Sequence, residues 1–371
     1  MIYLDNAATT ALLPEVIEKM TEVMTSTYGN PSSIHTLGRK ANQVLREQRE
    51  NVAQLLGTKA DRIIFTSGGT ESNNTALKGY ALANQSKGKH IISTSIEHHS
   101  VLHTLSFLEK ECGFEVTYLK PVNKTISVQQ VQEALREDTI LVSIMFANNE
   151  TGSIHPIQEI GHLLKQHQAA FHVDAVQVAG KLPLLPEQLG IDFLSISAHK
   201  FHGPKGVGLL YAAPHQFHNL LHGGDQEQKR RASTENLAGI VGMVTALQLA
   251  HDHMTEHFNT VEQLRDTLLT QLDPIDYYLN DSKNNLPHVV NIGFSGYHNS
   301  ILLTQLDLAG FCVSTGSACT AGTVEPSHVL EAFYGQGTPP LQESIRISFS
   351  HLNTIDDITL FAEKIKEIIG K

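Results

Sequence analysis

The sequence predicts an α/β protein. A large domain over residues 14–254 carries a mainly parallel sheet covered by helices, and a smaller α+β domain is made of residues 1–13 and 255–371. Three observations predict this. Apolar, β-branched runs alternate regularly with amphipathic segments, the pattern of strands joined by crossover helices. The length of 371 residues exceeds one ordinary core. From about Thr255 the texture changes to long helical stretches around two short strand-like runs.

Taken in order, Pro14 to Thr27 places Val16, Ile17, Met20, Val23 and Met24 at helical spacing, with proline in the first turn, where its missing N–H is not needed. Gly38 to Leu56 repeats the pattern, and Gly57 supplies a left-handed stop. Strand-like runs follow at 62–66, 90–93, 115–119, 140–146, 170–173, 193–196 and 207–211. Helical segments separate them near 70–82, 101–111, 128–136 and 157–166. Beyond them come a helix over 261–272, a strand-like stretch at 286–294, a helix over 300–308 and a final helix over 355–369.

Lys+Arg 27 against Asp+Glu 38 gives a net charge of −11, which argues against direct nucleic-acid binding even with the local patch Lys229-Arg230-Arg231. Three cysteines, Cys112, Cys312 and Cys319, form neither a paired disulfide framework nor a common zinc spacing. The N-terminus lacks the basic start and apolar run of a signal peptide, and no stretch is long and apolar enough to span a bilayer. A reducing, cytoplasmic protein with no membrane attachment and no metal is the expectation.

The chemistry-bearing motifs fall where strands end, which is where ligands sit in such sheets. Lys200 follows the run 191–196 and precedes Gly203-Pro204-Lys205-Gly206, a place that holds an amine fixed and partly desolvated for carbonyl chemistry; an ordinary turn lysine fits the same stretch. Asp174 ends the run Phe171-His172-Val173, where a carboxylate can keep a ring nitrogen protonated or cap a helix. Ser67-Gly68-Gly69-Thr70-Glu71-Ser72 can gather backbone N–H groups at a helix N-terminus into an anion cup, or serve as a capping turn. His98 and His99 follow Glu97 at a strand end, where one histidine can stack on a flat ring and move protons, or the pair can belong to a surface loop. Ala147-Asn148-Asn149-Glu150-Thr151-Gly152 ends a strand, and an asparagine there can donate to a cofactor or substrate oxygen. Arg346 lies inside an apolar run and faces a carboxylate, either of a substrate or of the protein itself. Cys319, among Gly316, Ser317, Ala318 and Gly322, lacks bulky neighbours to bury it and suits an exposed nucleophile, whereas Cys112 and Cys312 read as packing residues.

These motifs occur in the order of a known family: Tyr3-Leu4-Asp5-Asn6-Ala7-Ala8-Thr9-Thr10, Tyr28-Gly29-Asn30-Pro31, Gly68-Gly69-Thr70-Glu71-Ser72, Glu97-His98, Asn148-Asn149-Glu150, His172-Val173-Asp174, Ser197-Ala198-His199-Lys200 and Gly316-Ser317-Ala318-Cys319-Thr320. The chain resembles a cysteine desulfurase of the NifS/IscS-like group, in the class V aminotransferase branch of the fold type I pyridoxal phosphate enzymes. The resemblance runs nearly end to end. It implies that Lys200 holds pyridoxal 5'-phosphate covalently, that Asp174 and Gln177 meet its ring nitrogen and phenolic oxygen, and that His98 stacks on the ring. It implies further that Thr70, Ser197 and His199 bind phosphate, that Asn148 and Arg346 hold the carboxylate of L-cysteine, and that Cys319 accepts the sulfur as a persulfide.

Thr234 maps to a threonine that reaches the phosphate of a neighbouring subunit, which implies a homodimer. The sulfur would pass to an acceptor protein, either an iron–sulfur cluster scaffold or a tRNA thiouridylase. A selenocysteine lyase or an aminotransferase of the same class is the nearest rival reading; a non-catalytic sulfur carrier and a zinc hydrolase using His199 and His202 are more distant ones. Two departures stand out. Ser233 occupies a position where the family usually has glycine, and the chain ends at Lys371 without the longer C-terminal segment that some members use for a scaffold.

Overall fold

The computed structural model describes residues 1–316 and 326–370. In chain order the strands are β1 (Ile2–Tyr3), β2 (Ile63–Thr66), β3 (His90–Thr94), β4 (Glu115–Leu119), β5 (Thr139–Ser143), β6 (Ala170–Asp174), β7 (Phe193–Ser197), β8 (Gly208–Ala212), β9 (Tyr278–Leu279), β10 (Val289–Gly293), β11 (Phe311–Cys312) and β12 (Ser344–Ser348). Seven of them form one sheet in the order β2-β8-β7-β6-β5-β3-β4. The pairs among β3 to β7 run parallel, while β8 is antiparallel to both β7 and β2. The fold is therefore α/β with a mainly parallel sheet.

Every residue of β2, β3, β5, β6, β7 and β8 is buried. A sheet covered on both faces explains why these strands read as continuous apolar runs without alternation. One face packs on the helices Gly69–Asn84 and His99–Cys112 through Ala76, Leu77, Tyr80, Val101 and Leu105. The other face meets a larger core that includes Val16, Leu45, Ile160, Met243 and Leu247.

The helix Leu237–Asp252 in that core was not foreseen. Leu237, Ile240, Val241, Met243, Val244, Ala246 and Leu247 are all buried, so it has no broad polar face to betray a period. It packs against the helices Pro14–Ser26 and Thr36–Leu55. The run expected as a strand over 140–146 ends at Ser143, although Ile144 and Phe146 still donate backbone N–H bonds to His172 and Asp174 (3.1 and 2.9 Å).

A second sheet, β12-β10-β9, is antiparallel and packs on the helices Met254–Leu272, Asn299–Leu308 and Ile355–Ile369. Leu4 lies in this same core, and β1 pairs in parallel with β11. The last helix is fixed at its start by a capping box between Thr354 and Asp357. Its residues Ile358, Phe361 and Ile365 are fully buried, each contributing roughly 1.5–3 kcal/mol. No helix among the described residues is long and apolar enough to cross a membrane.

Candidate active site

The parallel strands end on one side of the sheet, and the chain segments leaving them surround a cavity of about 410 Å³. Lys200 closes a single 3₁₀ turn, Ala198–Lys200, that follows β7 directly. Its ammonium donates to the carbonyl oxygens of Ala7 and Ala8 (2.7 and 2.8 Å), so the N-terminal segment is tied to the end of β7. Thr10 reinforces this link through bonds to the His199 carbonyl from its N–H and its hydroxyl (2.9 and 3.0 Å).

Asp174, the last residue of β6, is 6% exposed. Its Oδ2 accepts from Asn73 Nδ2 (2.8 Å) and its Oδ1 from the Val176 N–H (3.0 Å). Gln177, in the turn that follows, donates from Nε2 to the Ala7 carbonyl (3.0 Å). That carbonyl thus receives both Gln177 and Lys200.

Beside them, Gly68 precedes the helix Gly69–Asn84 at φ 148 and offers no side chain to cap it. The first N–H groups of a helix have no partner within it, so an uncapped start facing a cavity suits an anion. A Cβ on Gly69 would lie 2.8 Å from Val176 Cγ2, so glycine is required for the close approach. Thr70, Ser197 and His199 also line the cavity, and His199 Nδ1 is 3.2 Å from the Thr9 hydroxyl. Burial, with Lys200, Lys205 and Lys181 nearby, lowers His199 to about 4, which keeps it neutral.

His98 is the N-cap of the helix His99–Cys112 and accepts at Nδ1 from the Ser100 N–H (3.1 Å). This leaves the proton of the neutral ring on Nε2. Burial holds His98 below the usual histidine range; the charge of Asp174 opposes this and that of Lys200 adds to it.

Arg346 is 1% exposed, and its guanidinium spans Asp5 Oδ1 (2.8 Å) and the Asn149 carbonyl (3.0 Å). The carboxylate it faces is therefore that of Asp5. Its Nε is buried without a hydrogen-bond partner among the described residues, although the residue lines the cavity.

The cavity thus brings together Thr70, His98, Asp174, Gln177, Ser197, His199, Lys200 and Arg346. Asn148 is corrected. It is fully buried and its side chain is spent inside its own turn: Nδ2 donates to the Ile96 carbonyl (3.0 Å), and Oδ1 accepts from the N–H groups of Glu150 (2.9 Å) and Thr151 (3.1 Å). The neighbouring Asn149 lines the cavity instead. Thr234 lies in a separate surface depression with Leu221, His222, Gly223 and Gln226, preceded by Ser233 at φ 96. Cys319 lies outside the described residues. Asn73, Asp5 and Asn149 were missed as site residues; Asn73 stands one turn into the helix that begins at the glycine cup, and Asp5 and Asn149 lie within motifs of the family resemblance, so each carried a sequence signal.

Glu97, next to His98, is fully buried, and burial pushes its carboxyl up to about 8 against the opposing bonds from the Met145 N–H and the Thr94 hydroxyl. The folded state therefore retains a proton between the usual 4.5 and about 8 that the unfolded chain releases, and stability declines as pH rises through that window. Glu97→Gln removes this dependence. The melting temperature of the variant relative to the parent is expected to rise by about 3–6 °C between pH 5 and pH 8.5, and a difference independent of pH would refute the assignment.

The residues present suit pyridoxal phosphate: a lysine at a strand end, a buried carboxylate at the adjacent strand end, and an uncapped glycine-flanked helix start face one cavity. Comparison with known proteins agrees. Residues 2–361 match the family described as aminotransferase class-V. The chain is 47% identical over 379 residues to cysteine desulfurase IscS of Dictyoglomus turgidum, covering 100% of this chain and 95% of that one. Among solved structures, a NifS-like protein superposes with a TM-score of 0.93 at 37% identity, covering 100% and 99% of the two chains. SspA in complex with cysteine gives a TM-score of 0.84 at 35% identity, covering 95% and 100%.

Proposed function

This chain belongs to the aminotransferase class-V family as a pyridoxal phosphate-dependent enzyme with cysteine desulfurase activity, and from that premise we propose that it moves the sulfur of L-cysteine onto Cys319 as a persulfide and releases L-alanine. The observation that carries the reading is the convergence of Lys200, Asp174 and the open helix start on one cavity. A relative whose structure is described as a complex with cysteine supports the choice of substrate.

When bound, pyridoxal phosphate supplies an electron sink for the substrate's α-carbon. Lys200 would hold the cofactor, and its Nζ, once released, would take the α-proton of the substrate. Asp174 would keep the ring nitrogen protonated, and Gln177 would donate to the phenolic oxygen. Thr70, Ser197 and His199 would hold the phosphate beside the helix start. The proton on His98 Nε2 makes that residue a donor toward the cavity. Arg346, already spanning Asp5, would take the substrate carboxylate, with Asn149 in the place first given to Asn148.

The Cys319 thiolate would then attack the substrate sulfur. A sulfur–sulfur bond forms as the carbon–sulfur bond breaks, and the carbon skeleton gains a proton and leaves as L-alanine. This reading divides the chain into residues 14–254 around the cofactor, and residues 1–13 with 255–371, which carry Cys319 and Arg346. Thr234, away from the cavity of its own chain, supports a homodimer in which it serves the neighbouring subunit. The net charge of −11 favours delivery to an acceptor protein, a cluster scaffold or a tRNA thiouridylase, over direct delivery to RNA.

Cys319→Ser tests the persulfide. It is expected to abolish persulfide and sulfide release from L-cysteine while the visible absorbance of bound cofactor stays. Undiminished sulfide release would overturn the assignment.

A further inference from the structure

His288 stands immediately before β10 and lines a smaller cavity, while Gln177, which it meets, lines the large one. It is 4% exposed, and its backbone carbonyl accepts from the Phe349 N–H (2.9 Å). Its Nε2 lies 3.3 Å from Gln177 Oε1. Its Nδ1 is buried with no hydrogen-bond partner among the described residues.

The bond directions follow from the ends of this chain of contacts. The Ala7 carbonyl can only accept, and it already receives Lys200 Nζ (2.7 Å), so Gln177 must present its amide nitrogen there (3.0 Å). The amide oxygen is thereby turned to His288. An oxygen cannot donate, so His288 Nε2 carries the proton and Nδ1 is bare. A neutral ring of that tautomer fits the surroundings: His288 is enclosed, and Lys181, Arg346 and Lys200 all bring positive charge toward it. A smaller cavity behind Lys200, lined also by Lys181, His202, His257 and His351, adjoins it and brings no carboxylate.

We propose that His288 is a positioning residue for the cofactor: by donating from Nε2 to Gln177 Oε1 it fixes the amide so that the remaining N–H of Gln177 is aimed into the active-site cavity. This rests on the proposed role of Gln177 toward the phenolic oxygen of pyridoxal phosphate. The two side chains are 111 residues apart in sequence, so no local motif links them. Without the donor, Gln177 Oε1 loses its partner and the amide is held in this orientation by its bond to the Ala7 carbonyl alone, so it turns about its last torsion more readily and the direction of its remaining N–H is less well fixed. The electronics of the cofactor would register the change even where the fold does not.

The test uses the holoenzyme. His288→Phe keeps the ring volume and removes the donor, and His288→Gln restores an N–H near the Nε2 position. His288→Phe is expected to shift the pH midpoint of the visible cofactor band by about 0.5–1 unit and to lower kcat about tenfold with little change in KM. His288→Gln should return the midpoint toward that of the parent. In a Gln177→Ala background, His288→Phe should add no further shift, because it acts only through that amide.

The proposal is overturned if His288→Phe leaves the midpoint unchanged while Gln177→Ala moves it, or if His288→Phe shifts it equally in both backgrounds. If neither single variant moves the midpoint, the role of Gln177 fails first and the inference falls with it. Thermal melting of each variant accompanies the titration. A His288→Phe protein that does not fold leaves the decision to His288→Gln, whose midpoint is then expected within about 0.3 unit of the parent; a larger displacement overturns the proposal.

Discussion

Lys200→Ala is expected to lower cysteine desulfurase activity by about 10³-fold or more, because in the proposed function one side chain would serve as covalent anchor and as base at the substrate's α-carbon. The purified variant should carry no cofactor that borohydride can fix to the chain, and whatever cofactor it binds should leave on dialysis. The fold should survive. Lys200 Nζ donates to Ala7 and Ala8, but the same N-terminal segment is held independently by the two bonds from Thr10 to the His199 carbonyl. The His202 N–H adds a bond to the Thr10 hydroxyl (2.7 Å), and Asn6 Nδ2 donates to the Ser348 carbonyl (3.0 Å). Losing the two bonds from Lys200 costs about 1.5–3 kcal/mol each at most. A variant that melts near the parent temperature and lacks activity separates the chemical role from the structural one. Retained activity with a covalently fixable cofactor would assign the anchor to another amine, and Lys181 would be the nearest to examine, since its Nζ donates to the Lys200 carbonyl (2.9 Å).

The parts of this site legible from sequence share one physical property: their placement is local. A lysine at the end of a buried strand and an aspartate at the end of its neighbour are fixed by backbone geometry, so the sequence pattern put Lys200 and Asp174 at strand ends, and the family resemblance supplied the roles expected of them. The glycine cup is local as a motif, a pair of glycines between a strand and a helix, whereas the close approach of Gly69 to Val176 joins the ends of β2 and β6, between which β8 and β7 lie in the sheet. What escaped depends on distance or on direction. Arg346 was read as facing a carboxylate, but Asp5 is 341 residues away, and only the docking of the N-terminal segment against β12 brings them together. Asn148 and Asn149 are consecutive in a tight turn, so their side chains diverge, and no spacing rule says which one enters the cavity. The helix Leu237–Asp252 is buried nearly all round and offers no period. The direction of β8 was equally hidden, since an apolar run has the same appearance whether its neighbour is parallel or antiparallel.

Asp174→Asn isolates charge from structure, and its expected result is a loss of kcat of at least about 10²-fold with little loss of stability. The parent carboxylate accepts from Asn73 Nδ2 and from the Val176 N–H. After substitution the new amide keeps one oxygen, which can still accept from Val176. Its nitrogen would face the nitrogen of Asn73, but Asn73 has a remedy: its Oδ1 is buried with no hydrogen-bond partner among the described residues. A half-turn of the Asn73 amide presents that oxygen to the new donor, at the loss of the present bond from Nδ2 to the Ser100 hydroxyl (2.9 Å), which stays engaged with His98 Nδ1 (2.8 Å). Packing and hydrogen bonding are thus nearly conserved while the negative charge is removed. A neutral group there cannot hold a proton on the ring nitrogen, so the electron sink weakens and proton removal by Lys200 slows. Stopped-flow absorbance of the holoenzyme mixed with L-cysteine, together with melting curves, checks this. Slow chemistry at an unchanged melting temperature is the expected pair of results, and full activity would show that the charge of Asp174 is dispensable.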